Sequence, residues 1–475
     1  MWLIIILFVF IVQVAIVLII EYRNPAKALA WILILFCCPL VGFIVYYFVA
    51  KEYNIHKKTR SVKASQVQDI RDHLWQVANI VESVEDMKNS DFIYNKRLFD
   101  YISQIPGSPI TGSNKSQILT DGQIAYHAML EAMESAENHI NVEFYIFRPD
   151  MIGTEFQDVM IRKSQEGIKV RVLCDGIGSY HLKRSFIQRF KETGVEFHFF
   201  LPPIIAMVDR RINYRNHRKI VIVDGKKGFA GGLNVGDDYL GLYPKVGFWR
   251  DTHLQLEGDA VYFLQTIFLH DWRLASNEHL MDLSFFPEHQ CREDQQVQIL
   301  SSGPDQIRDA LQEMCFTAIA IAKERIWITS PYFIPDPGIN EGLKTAALSG
   351  VDVRIIIPWK PDSLWVHLAT LSYVEELLEV GVQFYQYRKG FIHAKIIIAD
   401  EILASVGTAN MDMRSFFSNF ELTAVLFDLA TIQRIEKDFE EDMQNSTEMQ
   451  LSTFKSRPLL QKGGEVFCRI LSPLL

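Results

Sequence analysis

The sequence predicts an α/β protein in which one unit, a β-sheet sandwiched by helices, is written twice behind an N-terminal two-helix membrane hairpin. Three observations carry this. Two long uncharged runs open the chain, and the segments beyond Pro109 recur in the same order in a second copy. Within each copy, strand-like stretches alternate with helix-like ones.

The hairpin comes first. Met1 to Ile20 holds no charged residue and is rich in Ile, Leu, Val and Phe. Glu21 to Lys27 interrupt it, and a second uncharged run extends from Ala28 to Ala50. Each run is about the 20 residues that a helix needs to cross a hydrocarbon core. A signal peptide is the competing reading, since Ala28-Leu-Ala30 resembles a cleavage site; the chain starts, however, without the positive segment such a peptide carries. A retained hairpin is therefore favoured. Pro39 and Gly42 fall inside the second run and leave a kinked or re-entrant path open. Lys51, Lys57, Lys58, Arg60 and Lys63 outnumber Arg23 and Lys27 in the turn. That excess places the bulk of the chain on the cytoplasmic side with the short turn outside. The same cluster suits anionic headgroups, or simply the solvated face of a linker.

A polar, helix-prone connector follows, and the division reads as residues 1–50 hairpin, 51–110 connector, 111–290 first half and 291–475 second half. ILTDG at Ile118 parallels ILSSG at Ile299. AYHAMLEAMESA parallels IRDALQEMCFTAIAIA, with apolar residues at three- and four-residue intervals. INVEFYIF parallels WITSPYFI, GIKVRVLCD parallels GVDVRIIIP, and GVEFHFF parallels GVQFYQY. Five matches in register make a duplication.

Composition bounds the function. Of 475 residues, 49% are hydrophobic and 12% aromatic, which suits a core plus membrane contact. The net charge of −9 and the lack of a long basic stripe argue against nucleic acid, so any phosphate site is locally basic. Cys37, Cys38, Cys174, Cys291, Cys315 and Cys468 show neither metal-ligand nor disulfide spacing and read as small buried hydrophobes in a reducing compartment.

The last matched pair carries the chemistry. NHRKIVIVDGKKGFAGGLN holds His217, Lys219, Asp224 and Asn234; IHAKIIIADEILASVGTAN holds His393, Lys395, Asp400 and Asn410. In a strand, residues two apart share a face, so each histidine points the same way as its lysine. A lysine entering an apolar strand needs compensation. Gly231, Gly232 and Gly407 allow backbone to approach a ligand. A phosphodiester, attacked by one imidazole while a second donates a proton to the leaving oxygen, fits such a pair of motifs.

His-x-Lys, four residues, Asp, six residues, then Gly-Gly/Thr-x-Asn resembles the signature of the phospholipase D superfamily, and it stands intact in both halves. The apolar N-terminus, EFYIFRPDMIG, GFWRDTHLQLEG and LSPLL resemble the bacterial cardiolipin synthase family within it. The resemblance implies a duplicated phospholipase D-type sandwich, two mixed β-sheets flanked by helices about a pseudo-twofold. It implies His217, Lys219, Asp224, His393, Lys395 and Asp400 as the catalytic set, with His217 the nucleophile and His393 the acid, then base. The implied reaction joins two phosphatidylglycerol molecules into cardiolipin and glycerol at the cell membrane.

Around that set, Lys219 and Lys395 are expected to flank the non-bridging phosphate oxygens in place of divalent ions, so neither metal nor cofactor is expected. Asn234 and Asn410 are expected to donate to the phosphate, and Arg215 to attract it. Asp251 and Glu421, at matching places after the motifs, are expected to orient the histidines. Asp224 and Asp400 end strands beside turns and read as anchors. Tyr145 and Tyr332 read as core or cleft wall, and Arg210, Arg211 and Arg218 as headgroup attraction or surface charge. The closing LLQKGGEVFCRILSPLL is amphipathic in parts, fitting a helix on the bilayer or one packed on the domain. Three other functions stay open: headgroup hydrolysis or exchange, as in a phospholipase D or phosphatidylserine synthase; a tethered nuclease; and a non-catalytic scaffold.

Overall fold

The computed structural model describes residues 2–21, 25–49, 64–203, 206, 213–243, 247–280, 282–306 and 308–474. The basic cluster from Lys51 to Lys63, and Arg23, Arg210 and Arg211, lie outside them.

The first half supplies strands β1 (Ile110–Asp121), β2 (His139–Phe144), β3 (Lys169–Asp175), β4 (Glu196–Phe200), β5 (Ile220–Val223), β6 (Lys227–Gly231) and β7 (Phe248–Gly258). The second supplies β8 (Gln295–Ser302), β9 (Arg325–Thr329), β10 (Phe333–Ile334), β11 (Asp352–Pro358), β12 (Gln383–Tyr387), β13 (Gly390–Ile392), β14 (Ile396–Ala399), β15 (Leu403–Gly407), β16 (Met411–Asp412), β17 (Glu421–Leu426) and β18 (Ser446–Glu448). Each matched sequence segment lands on the same kind of element in both halves.

Two equivalent sheets were the expectation; all the described strands but β10 and β16, which form a separate parallel pair, instead join in one. A 16-stranded mixed sheet runs β18-β12-β11-β9-β14-β15-β17-β8-β1-β7-β6-β5-β2-β3-β4, with β13 beside β7. The order is symmetric about its middle, where β8 and β1, the strands of ILSSG and ILTDG, pair antiparallel. Two separate sheets would leave both strands with an open edge; pairing them across the pseudo-twofold satisfies those backbone groups. The outer strands β2-β3-β4 and β9-β11-β12 run parallel. One core lies under each half, and a third, with Ile220, Leu254, Ile396 and Leu422, lies between them.

Residues of the connector do more than connect. The Asn89 amide donates to the carbonyls of Glu401 and Phe427, and Phe92, Leu98 and Phe99 are buried in the second-half core.

The N-terminus departs from two straight helices. α1 (Trp2–Ile20) precedes α2 (Pro25–Cys37) and α3 (Pro39–Val49). The second apolar run is therefore broken after Cys37. Pro39 has no N–H for the carbonyl four residues back, and its ring crowds that turn. The break is sharp: a Cβ on Gly42 would lie 3.2 Å from the Ile34 carbonyl oxygen, and the Trp31 and Tyr46 rings meet at 5.2 Å. Both pairs are placed about Cys38, so α3 folds back along α2 as a helical hairpin. Pro25 and Val49 then share one end. Phe36, Leu40 and Val41 make an exposed apolar tip, and Phe36 meets Phe10 of α1. Among the described residues, no helix is long and apolar enough to cross a membrane.

Candidate active site

The two motifs meet where the halves meet. His217 precedes β5, and its N–H donates to the Phe420 carbonyl at 2.9 Å while the Phe420 N–H donates to that of Arg215 at 2.8 Å. His393 follows β13, which pairs with β7; its N–H donates to the Arg250 carbonyl at 2.7 Å. Each histidine segment thus lies against the opposite half, next to the acid following Phe420 or Arg250.

The side chains exchange in the same way. His217 Nδ1 lies 2.9 and 3.0 Å from the two Glu421 carboxylate oxygens. His393 Nδ1 lies 2.7 Å from Asp251. Both expected acids contact a histidine, and each does so across the halves. An Nδ1–H held by a carboxylate leaves Nε2 for chemistry.

The acids are held unequally. Glu421 accepts from the Thr408 hydroxyl and, at 3.2 Å, from the Asn419 amide. Asp251 accepts from the Thr252 N–H at 2.8 Å. Gly232 matches Thr408 in the motif, and a Cβ there would lie 2.0 Å from Asp251 Oδ1. The shorter acid needs the space that the longer one fills with a donor.

Lys219 and Lys395 are buried, and each donates to the carbonyl of its own motif's histidine, Lys219 at 2.6 Å. Tyr145 forms a wall 4.9 Å from the His217 ring, and Trp249 one 5.1 Å from His393. Tyr332 donates to Asp362 on the second-half side.

Other expected residues are placed differently. Asn234 donates to the Tyr239 hydroxyl at 3.1 Å and accepts from the Ile146 N–H at 3.0 Å, so its amide is braced by first-half loops. Asn410 is buried with Oδ1 unpartnered among the described residues. Arg215 donates to its neighbour Tyr214 and sits near Asp175 and Arg414, the latter from the opposite half. Arg218 is fully buried, not surface charge: it holds Asp271 and the carbonyls of Glu421 and Ser302. Asp224 accepts the N–H groups of Glu137, Asn138 and His139, and Asp400 those of Lys323, Glu324 and Arg325. Thr408, Asn419, Trp249 and Arg414 carry no sequence signal of their own; the Gly-Gly/Thr position alone hinted at Thr408.

Burial shapes the charge. It lowers the His217 imidazole to about 4 and the His393 imidazole to about 3, with both lysines adding to each shift. Burial also brings Lys219 down to about 7 and Lys395 to about 8, against the pull of Glu421 and Asp251. Burial acts to raise the two acids, yet the adjoining histidines and lysines carry Glu421 and Asp251 below their ordinary values. Each lysine acts on both histidines, so the motifs share one electrostatic environment. A buried cationic pair beside neutral imidazoles is a ready place for a phosphodiester anion.

Residues 129–245 and 315–443 match the family described as "Cardiolipin synthase, PLD-like domain", and residues 10–51 match "Phospholipase_D-nuclease N-terminal". A cardiolipin synthase of Alkalihalophilus pseudofirmus is 40% identical over 98% of this chain and 92% of its own length. The chain belongs to the cardiolipin synthase family. One of Halalkalibacterium halodurans is 41% identical over the same shares, and cardiolipin synthase 2 of Bacillus anthracis is 40% identical over 97% of this chain and 89% of its own. The chain is accordingly an enzyme, a phosphatidyltransferase of phospholipid biosynthesis, and its N-terminal match goes with membrane association. In fold it is similar to a phosphatidylserine synthase of Haemophilus influenzae, at a TM-score of 0.64 and 14% identity over 80% of this chain and all of that one.

Proposed function

We propose that this enzyme condenses two phosphatidylglycerol molecules into cardiolipin and glycerol by double displacement at the paired motifs. The observation that carries the reading is the exchange of carboxylates, which ties His217 and His393 into one site. His217 Nε2 attacks the phosphorus of the first lipid, the bond to its glycerol headgroup breaks, and His393, whose Nε2 takes up a proton when the phosphodiester anion binds beside it, gives that proton to the leaving oxygen. The phosphatidyl group is then on His217. His393 takes the proton from the headgroup hydroxyl of a second lipid, that oxygen attacks phosphorus, and His217 departs.

Lys219 and Lys395 stabilise the charge that builds on the non-bridging oxygens, the task divalent ions perform in many phosphoryl-transfer sites. Turnover is therefore expected to survive EDTA, as assayed by product formation; loss restored by magnesium contradicts this role. Helices α1 to α3 hold the enzyme in the membrane with both halves on the cytoplasmic side and the cleft facing the bilayer, so that a lipid hydroxyl rather than water attacks the adduct.

The test supplies reconstituted protein with labelled phosphatidylglycerol. Cardiolipin with glycerol is expected; phosphatidic acid would mean hydrolysis instead. His217→Ala and His393→Ala each abolish turnover, and a phosphatidyl adduct trapped from the native enzyme maps to His217. Its mapping to His393 reverses the two roles.

A further inference from the structure

A helix on a water-facing domain buries its apolar side. The C-terminal helix α5 (Leu459–Leu471) buries Cys468 but turns most of its apolar side chains outward. Its inward face carries Glu465, buried, which takes the Arg457 guanidinium at 2.7 to 3.0 Å, and Arg469, which holds Glu376 and the Ser372 carbonyl of helix α4 (Leu364–Glu379). Its outward face carries Leu459, Leu460, Val466 and Phe467, with Gly463 between. Those five positions recur at the spacing of a single helical stripe. Leu459 is 85% and Leu460 89% exposed, close to full exposure for the largest aliphatic side chains. Facing water, such a stripe costs free energy; facing hydrocarbon, it does not.

The stripe is continuous with other surfaces. Leu364 and Trp365 extend it, the Trp365 ring lying 6.4 Å from that of Phe467. At its other end the helix and the turn after it pack on α2, where Leu474 joins the cluster of Val17, Trp31 and Tyr46. Lys360, four residues before Leu364, is exposed, and Arg388 stacks on Trp359 at 3.4 Å, so the segment leading into Leu364 carries the cationic and aromatic groups that suit a lipid–water boundary.

We propose that the C-terminal helix is a second membrane contact, laying this stripe into the headgroup boundary of the leaflet that receives the α2–α3 hairpin. The inference rests on the membrane reading above. It also connects to the site: Asp362, two residues before Leu364, accepts from Tyr332 at the cleft wall. Two contacts, one from each end of the chain, would fix the cleft mouth against the headgroups instead of leaving it to swing on the hairpin.

The test uses full-length protein. In phosphatidylglycerol vesicles, the double variant Leu460→Glu with Phe467→Glu is expected to stay vesicle-bound through α1 to α3 yet lose at least tenfold in turnover. On short-chain phosphatidylglycerol below its micelle concentration it stays within twofold of the parent. Unchanged vesicle turnover, or equal loss on both substrates, overturns the proposal. A photoreactive benzoylphenylalanine at Leu460 gives a second reading that does not depend on activity. Lipid adducts are expected there and, as a control, at Leu40 on the hairpin tip. Adducts at Leu40 alone, or adducts at Leu460 to another protein chain, overturn this proposal only; adducts at neither position overturn the membrane reading with it.

Discussion

Two lysines held beside two neutral imidazoles set how the site responds to pH. Each lysine must be charged to bind and stabilise phosphate, and burial has brought Lys219 to about 7 and Lys395 to about 8. A group so lowered keeps its charge below that value and loses it as pH rises through it. The kcat/KM profile of the free enzyme should therefore fall on the alkaline side between about pH 7 and 8, read from initial rates across a buffered series; a flat profile to pH 10 contradicts the buried-lysine assignment. The nucleophile must be neutral, and with His217 at about 4 the acidic limb belongs near that value. Removing the charge that orients an imidazole is costly as well. Glu421→Gln and Asp251→Asn should each lower kcat by about 10²–10⁴ with little change in KM, as for an acid that fixes a catalytic tautomer. At this scale the histidines, lysines and both acids were legible from spacing, because a strand's two-residue period fixes which side chains share a face. Which acid serves which histidine was not, since that depends on a docking between distant segments.

Between residues and the whole fold, the aspartates that close the motifs act on elements. Asp224 and Asp400 have φ of 54° and 48°, and each gathers three backbone N–H groups from the turn before the neighbouring strand, β2 or β9. They tie β5 to β2 and β14 to β9 at one end. Asn tolerates the left-handed backbone but is a weaker acceptor, so Asp224→Asn should cost about 2 kcal/mol of stability while the folded protein keeps its turnover. Parallel measurements of Tm and of activity per folded molecule check this, and lost activity at unchanged Tm would move Asp224 into the chemistry. Strand and helix identities were readable because apolar period and turn residues agree locally. The second apolar run was readable only in part: Pro39 and Gly42 left a kinked path open beside a straight span, and the packing of Gly42 on Ile34 shows that the chain doubles back.

Across the whole molecule, the halves are joined by a shared sheet and by buried ions. Arg218 of the first half reaches the Ser302 and Glu421 carbonyls of the second, and Arg250 pairs with Asp442 at 2.9 Å. Burial beside Asp271 holds the Glu143 carboxyl well above its ordinary value, while Arg218 keeps Asp271 ionised. Arg218→Ala strands that charge and should destabilise the protein by about 3–5 kcal/mol. With one sheet through both halves, calorimetry in detergent should show a single unfolding transition for residues beyond the N-terminal helices. Two separate transitions would mean that the seam is weaker than its contacts indicate.

The sequence alone determined the repeated unit, the kind of each element and the residues able to handle a phosphodiester, because these follow from period, spacing and side-chain chemistry within short stretches. Tertiary structure decided what depends on distant segments meeting: β1 pairing with β8 into one sheet, each histidine receiving the other half's acid, Asn234 turned to its own loops, and α3 folded back on α2. Sequence spacing fixes which groups are present on a face. Only packing fixes what that face meets.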